Sequence, residues 1–166
     1  VFEHVVIGFG VRAALAGHAR SRPGEETGGI LIGHPDGATL RVTRASPPGP
    51  NALHRRFRFS RDTRYLQRYL DEVVDRTDAQ EDYVGEWHVH PALDTLPSCV
   101  DRRSLWRIAR RTNYATDSPV LVIVEESPPE RRVRAYGFEV HPRRVWSELP
   151  VTYQSAAAGS AENGES

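Results

Sequence analysis

Apolar positions along the chain fall at two spacings, every second residue or every third and fourth, and the changes between them mark its elements. Alternation or short apolar runs predict strands over Phe2–Gly8, Gly28–Gly33, Thr39–Ala45, Arg56–Ser60, Gly85–His90, Pro119–Glu125 and Arg132–Val140, with an edge strand in Val145–Tyr153. In RFRFS the alternation turns Phe57 and Phe59 inward. Helical spacing predicts a short helix over Val11–Arg20, with Ala14, Leu15 and His18 on one face and Arg22, Pro23 and Gly24 ending it. Two longer helices follow. The first, from Arg61 to Arg76, gathers Tyr65, Leu66, Tyr69, Leu70, Val73 and Val74 into one stripe. The second, from Ser98 to about Thr112, turns Leu105, Trp106, Ile108 and Ala109 inward. HPDG at 34–37 predicts a hairpin turn, SPPGPN at 46–51 an exposed loop, and Pro128-Pro129 a further turn. From Gln154 the chain lacks the apolar content to order itself. Strands mixed with helices in this order predict one α/β domain over residues 1–153, a curved mixed sheet with a long helix on either side, and a disordered tail over 154–166.

Composition agrees with a single domain: 166 residues, 39% apolar, suffice to bury one core and not two. All 22 basic residues are arginine and are balanced by 22 acids, for a formal net charge of zero. That balance argues against nucleic acid as a partner, so RRFRFSR, the arginines between Arg102 and Arg111, and HPRR near the end are read as solvated faces. No apolar run approaches the roughly 20 residues of a membrane span, and no signal peptide opens the sequence. The lone Cys99 excludes an internal disulfide. A cytoplasmic setting is the expectation.

One stretch carries chemistry: GEWHVHPALDTLPSCVD, Gly85 to Asp101. On a strand, His88 and His90 project from the same face, close enough to share an ion. A helix opening at Ser98 places Asp101 in its first turn, from which a carboxylate can return to the imidazoles as a third ligand. Two His and one Asp leave a tetrahedral zinc one position short, the open place where water is activated. Ser98 and Asp101 also read as a capping box, and the two readings are compatible. Glu86 shares the histidine face by parity, so it is either an acid backing the ligands or a residue beyond the site, and the structural reading is preferred; Asp94 is a more distant alternative carboxylate. Cys99, at a helix start, is a conceivable nucleophile with His88 as base, and Trp87 reads as core.

His-x-His-Pro, seven residues from the second His to a Ser, then Ser-x-x-Asp, resembles the signature of the JAMM (JAB/MPN) zinc metalloproteases. That signature adds a glutamate before a glycine-rich apolar strand, and here Glu26 stands before Thr27, Gly28 and Gly29. The resemblance spans roughly residues 1–144. Val89 stands where the family often has Ser or Thr, and strand alternation aims it away from the metal. The resemblance implies the mixed curved sheet of the JAB/MPN, cytidine-deaminase-like architecture. It implies zinc on His88, His90 and Asp101, Glu26 as general base and Ser98 as hydrogen-bond donor to the oxyanion. Glu25 is the competing base, and the family register favours Glu26. The implied activity is cleavage after the C-terminal glycine of a ubiquitin-like protein, by deconjugation or precursor trimming, alongside E1/E2-like enzymes and within an antiphage system. Release of an amino acid from a sulfur-carrier protein and a non-catalytic scaffold are the alternatives.

Overall fold

The computed structural model describes residues 2–56, 58–91, 96–111, 114–125, 132–140 and 144–155. Phe57, Asp94, the Pro128-Pro129 turn and the tail beyond 155 lie outside them. In chain order the elements are β1 (His4–Ile7), α1 (Phe9–Ser21), β2 (Thr27–Asp36), β3 (Thr39–Ala45), β4 (Leu53–Arg55), β5 (Arg58–Ser60), α2 (Thr63–Arg76), β6 (Asp82–His90), α3 (Cys99–Ile108), β7 (Val120–Glu125), β8 (Val133–Glu139), β9 (Val145–Leu149) and β10 (Val151–Tyr153). Eight strands form one mixed sheet in the order β10-β1-β3-β2-β6-β7-β8-β9, and β4 and β5 form a separate hairpin.

Pairing decides which side chains share a face. Gly28 lies opposite His88 and Ile30 opposite Glu86 across β2 and β6, while Glu86 and His88 lie beside Leu121 and Ile123 of β7. On this face Leu66 and Val73 of α2 pack with Ile30, Ile32 and Ile108, and Leu105 of α3 packs with Leu121, Ile123, Tyr136 and Phe138. The other face belongs to α1, whose Val11, Leu15 and Ala19 meet Leu31, Val42, Trp87, Val89 and Val122. The two longer predicted helices therefore share one face, and α1 covers the other. Burying a Leu or Val side chain is worth about 1.5–3 kcal/mol, so these contacts fix where α3 begins relative to β6.

The single edge strand expected in Val145–Tyr153 is two strands, at opposite ends of the sheet order. β9 pairs antiparallel with β8 and β10 pairs parallel with β1, with Pro150 alone between them. Proline has no N–H for a ladder, and here its carbonyl accepts from the Val5 N–H at 2.9 Å. One residue can join both ends only if the sheet curls, and the curl wraps the α1 side. No described helix is long and apolar enough to cross a membrane.

Candidate metal centre

β6 ends at the histidines, and α3 begins just beyond them. His88 and His90 lie on the α2/α3 face, each with 13% of its side chain exposed. Gly28, opposite His88, makes room for the ring: a Cβ there would come within 2.7 Å of His88 Cδ2 and 2.6 Å of the Trp87 carbonyl oxygen. Phe59, on the β4–β5 hairpin, presents its ring edge-on to His88 at 6.2 Å between centroids and meets His54 at 5.4 Å.

Ser98 caps α3. Its hydroxyl accepts from the Asp101 N–H at 3.1 Å, and its own N–H donates to Asp101 Oδ2 at 2.8 Å, so both halves of the predicted capping box are present. The bonds that start the helix also aim Asp101. Its Oδ1 lies 2.9 Å from His88 Nδ1 and its Oδ2 3.7 Å from His90 Nε2. One donor atom from each of the three residues can be chosen so that all lie within 4.8 Å of one another. Tetrahedral zinc with bonds of about 2.0–2.1 Å needs donors about 3.3 Å apart. Two imidazoles and a carboxylate are the donor types of a zinc site with one position left open, and an inward shift of about an ångström would bring donors 4.8 Å apart to that spacing.

Glu26, the residue before β2, interacts electrostatically with all three of these residues, His88, His90 and Asp101. Thr27 pairs with Val89, so the register carried back one step sets Glu26 opposite His90. The Glu26 N–H donates to the Arg55 carbonyl at 2.8 Å, and His54 Nδ1 lies 3.2 Å from the Glu26 carbonyl oxygen, so β4 grips its backbone. Partial burial raises the Glu26 carboxyl above its usual range; the charge on Asp101 adds to this, and His90 and His88 oppose it. A carboxyl shifted this way suits a proton carrier. Glu25 instead makes an exposed contact with Arg22 at 3.7 Å.

The donor set is strongly coupled. Burial disfavours the His88 imidazolium, but hydrogen bonding to Asp101 and Glu86 outweighs it and pushes the group up to about 9. Burial acts against the Asp101 carboxylate as well, and His88 and Ser98 overcome it to hold the group below its usual range.

The partner of Glu86 and the burial of Ser46 were not evident from the sequence. Glu86, read as structural, is fully buried and lies against the site: both guanidinium nitrogens of Arg61 donate to it, Nη2 at 2.7 Å, and its Oε2 is 3.6 Å from His88 Nε2. Arg61 was an unremarked member of an arginine-rich run. Ser46, assigned to an exposed loop, is fully buried; its Oγ accepts from the Ile30 N–H at 3.0 Å and its carbonyl from Trp87 Nε1 at 3.0 Å. Trp87 is core, as expected, stacked on His18 at 5.0 Å. Cys99 is exposed, and its sulfur accepts from Arg102 Nη2 at 3.1 Å.

Residues 10–136 match a family described as prokaryotic homologs of the JAB domain. The chain is 34% identical over 99 residues to a CD-NTase/cGAS isopeptidase of Vibrio cholerae, a match covering 60% of each chain. It is 37% identical over 105 residues to one of Enterobacter hormaechei, covering 62% of this chain and 57% of the other. It is 33% identical over 100 residues to the desampylase of Haloferax volcanii, covering 57% of this chain and 68% of the other. The chain thus spans about three fifths of the length of the first two relatives. A solution structure of a Desulfitobacterium hafniense protein shares the fold, with TM-score 0.67 and 20% identity over 96% of this chain and 99% of that one.

Proposed function

The chain belongs to the prokaryotic JAB family, and on that premise we propose that it is a zinc-dependent isopeptidase acting after the C-terminal glycine of a ubiquitin-like protein. The observation that carries the reading is the convergence of His88, His90 and Asp101, and Glu26, which precedes a strand paired with the histidine strand, supports it. Zinc would be held by His88, His90 and Asp101, where it supplies Lewis acidity and a water activated at neutral pH.

The chain's own groups do the rest. Glu26, raised by burial, takes the proton from the attacking water and passes it to the departing amine. Ser98 accepts a hydrogen bond in its cap and keeps its O–H proton to donate to the carbonyl oxygen as charge builds there. Relatives named as isopeptidases and as a desampylase support a conjugated modifier as the substrate. A CD-NTase-type enzyme is then one protein that could carry it, within an antiphage system served by E1- and E2-like enzymes. Precursor trimming uses the same chemistry on a peptide bond.

The test is incubation with a Gly-Gly-ended ubiquitin-like domain fused to a second domain, with and without a chelator. Cleavage after the second glycine that stops with chelator and returns with zinc supports the reading. Cleavage that survives chelation, or none by the zinc-loaded protein on any Gly-Gly substrate, overturns it.

A further inference from the structure

Beyond its first turn, α3 is a helix of arginines. Arg102, Arg103 and Arg107, with Arg110 and Arg111 just past its end, line a groove of about 550 Å³ that Arg144 completes from the residue before β9. No ion pair among the described residues involves any of the six. The Arg102 guanidinium instead meets Cys99 Sγ and the face of Trp146, 5.6 Å from the ring centre.

A merely solvated helix face looks different, and α2 in the same molecule provides the contrast. There three acids, Asp71, Glu72 and Asp75, balance Arg64, Arg68 and Arg76, and Arg76 pairs with Glu72 at 3.2 Å. In α3 the one acid is Asp101, which the metal centre uses. A chain of zero net charge has therefore placed a block of positive charge in one groove, where like charges repel until a partner neutralises them.

Location selects the partner. The groove starts at Cys99, the residue after the Ser98 cap, and runs along a helix whose span from Asp101 to Ile108 is about 10 Å at 1.5 Å per residue. A folded protein whose tail reaches the histidines must lie over ground this close to them. A second copy of this chain is a poorer occupant, because an acidic surface of one copy on the groove of the next is a heterologous contact that repeats into a ring or an open array and would cover the ground beside the histidines that a substrate needs. A nucleic acid would answer the charge but not the position beside a hydrolytic centre. We propose that the arginine groove of α3 docks an acidic face of the protein whose Gly-terminated bond is cut, which rests on the hydrolase reading above. Groups at such a rim act on encounter and KM more than on the chemical step.

The experiment uses Arg103→Glu/Arg107→Glu/Arg110→Glu and the charge-preserving Arg103→Lys/Arg107→Lys/Arg110→Lys, all at exposed positions outside the metal centre. Three substrates are compared: a fluorogenic peptide amide ending in Gly-Gly, a Gly-Gly fusion to an acidic domain, and the same fusion with that domain's acids replaced by amides. In the glutamate variant, kcat/KM on the acidic fusion should fall about 10- to 100-fold, through KM, with the other two substrates within about twofold of wild type. The lysine variant should keep most of the wild-type rate. Equal rates of wild type and glutamate variant on the acidic fusion overturn the proposal, as does an equal loss on all three substrates. Binding is read separately, with a labelled ten-residue polyglutamate and a single-stranded DNA of equal charge. Polyglutamate bound by wild type and lost in the glutamate variant supports the groove even if no substrate is cleaved, in which case the hydrolase reading alone fails. DNA bound more tightly than polyglutamate, with the fusion unaffected by it, overturns the assignment to protein.

Discussion

Replacing Arg61 by leucine removes both guanidinium hydrogen bonds from the buried Glu86 carboxylate and leaves it only His88 Nε2 at 3.6 Å and the Tyr83 hydroxyl at 3.5 Å. The side chain of Glu86 is 1% exposed and that of Arg61 27%, so the pair is sealed from the carboxylate end and open at the guanidinium end. Breaking a buried ion pair by removing one partner costs about 3–5 kcal/mol. Water entering through the vacated arginine site puts this case at the lower bound, about 3 kcal/mol. For a domain of this length each kcal/mol moves Tm by about 2–4 °C, so the metal-free variant should melt about 6–12 °C below wild type. Arg61→Leu/Glu86→Leu, which buries no charge, should recover to within about 1 kcal/mol of wild type. It should still bind zinc about 10- to 100-fold more weakly, because His88 Nε2 has lost the carboxylate 3.6 Å away that orients its ring. Thermal unfolding in chelator and zinc titration against a competing chromophoric chelator measure the two quantities. A single variant within 1 kcal/mol of wild type, or a double variant with wild-type zinc affinity, would refute the reasoning.

Glu26→Gln should retain one zinc per chain and lose about 10²- to 10⁴-fold in turnover; a variant that loses the metal makes Glu26 a ligand instead. Gly28→Ala forces a methyl to within 2.7 Å of His88 Cδ2 and 2.6 Å of a backbone oxygen, so zinc affinity should fall and stability drop by about 1–3 kcal/mol; unchanged zinc affinity contradicts the close approach. Asp62 caps α2 by accepting from the Tyr65 N–H at 3.1 Å and also holds Asn51, and its carboxyl lies below its ordinary 3.8. A depressed folded pKa gives stability that is present above 3.8 and lost as pH falls through the lowered value. Melting points of wild type and Asp62→Ala should therefore stand apart at neutral pH and converge in acid, and a constant gap rules the carboxylate out as the source.

The candidate ligand set was legible because its three members obey local rules. Parity alone puts His88 and His90 on one face, and a serine three residues before an aspartate states both a helix start and the direction of Asp101. Glu26 came from the resemblance, since nothing local says that the strand after it will pair with the histidine strand in the register that sets it opposite His90. What stayed hidden depends on partners far apart in the sequence. Arg61 is 25 residues from Glu86 and is indistinguishable from its arginine neighbours. Ser46 opens a Pro-rich segment that looks solvent-facing, yet it answers polar groups of Ile30 and Trp87 inside the core. Alternation in Val145–Tyr153 gives a strand, but only the closing of the sheet on β1 reveals that Pro150 divides it. The arginines of α3 were read as a solvated face from the net charge, a sum that cannot report where the charges gather.

On the proposed reading Glu26, His88, His90 and Asp101 meet at one zinc, three as ligands and one as the proton carrier. A zinc-soaked crystal measured at the zinc absorption edge tests it most directly. One strong anomalous peak per chain is expected, about 2.0–2.1 Å from a nitrogen of His88, a nitrogen of His90 and an oxygen of Asp101, with the Glu26 carboxylate within hydrogen-bonding reach of the fourth position. A peak elsewhere, or one that binds Glu26 and leaves Asp101 to the helix cap alone, would contradict it.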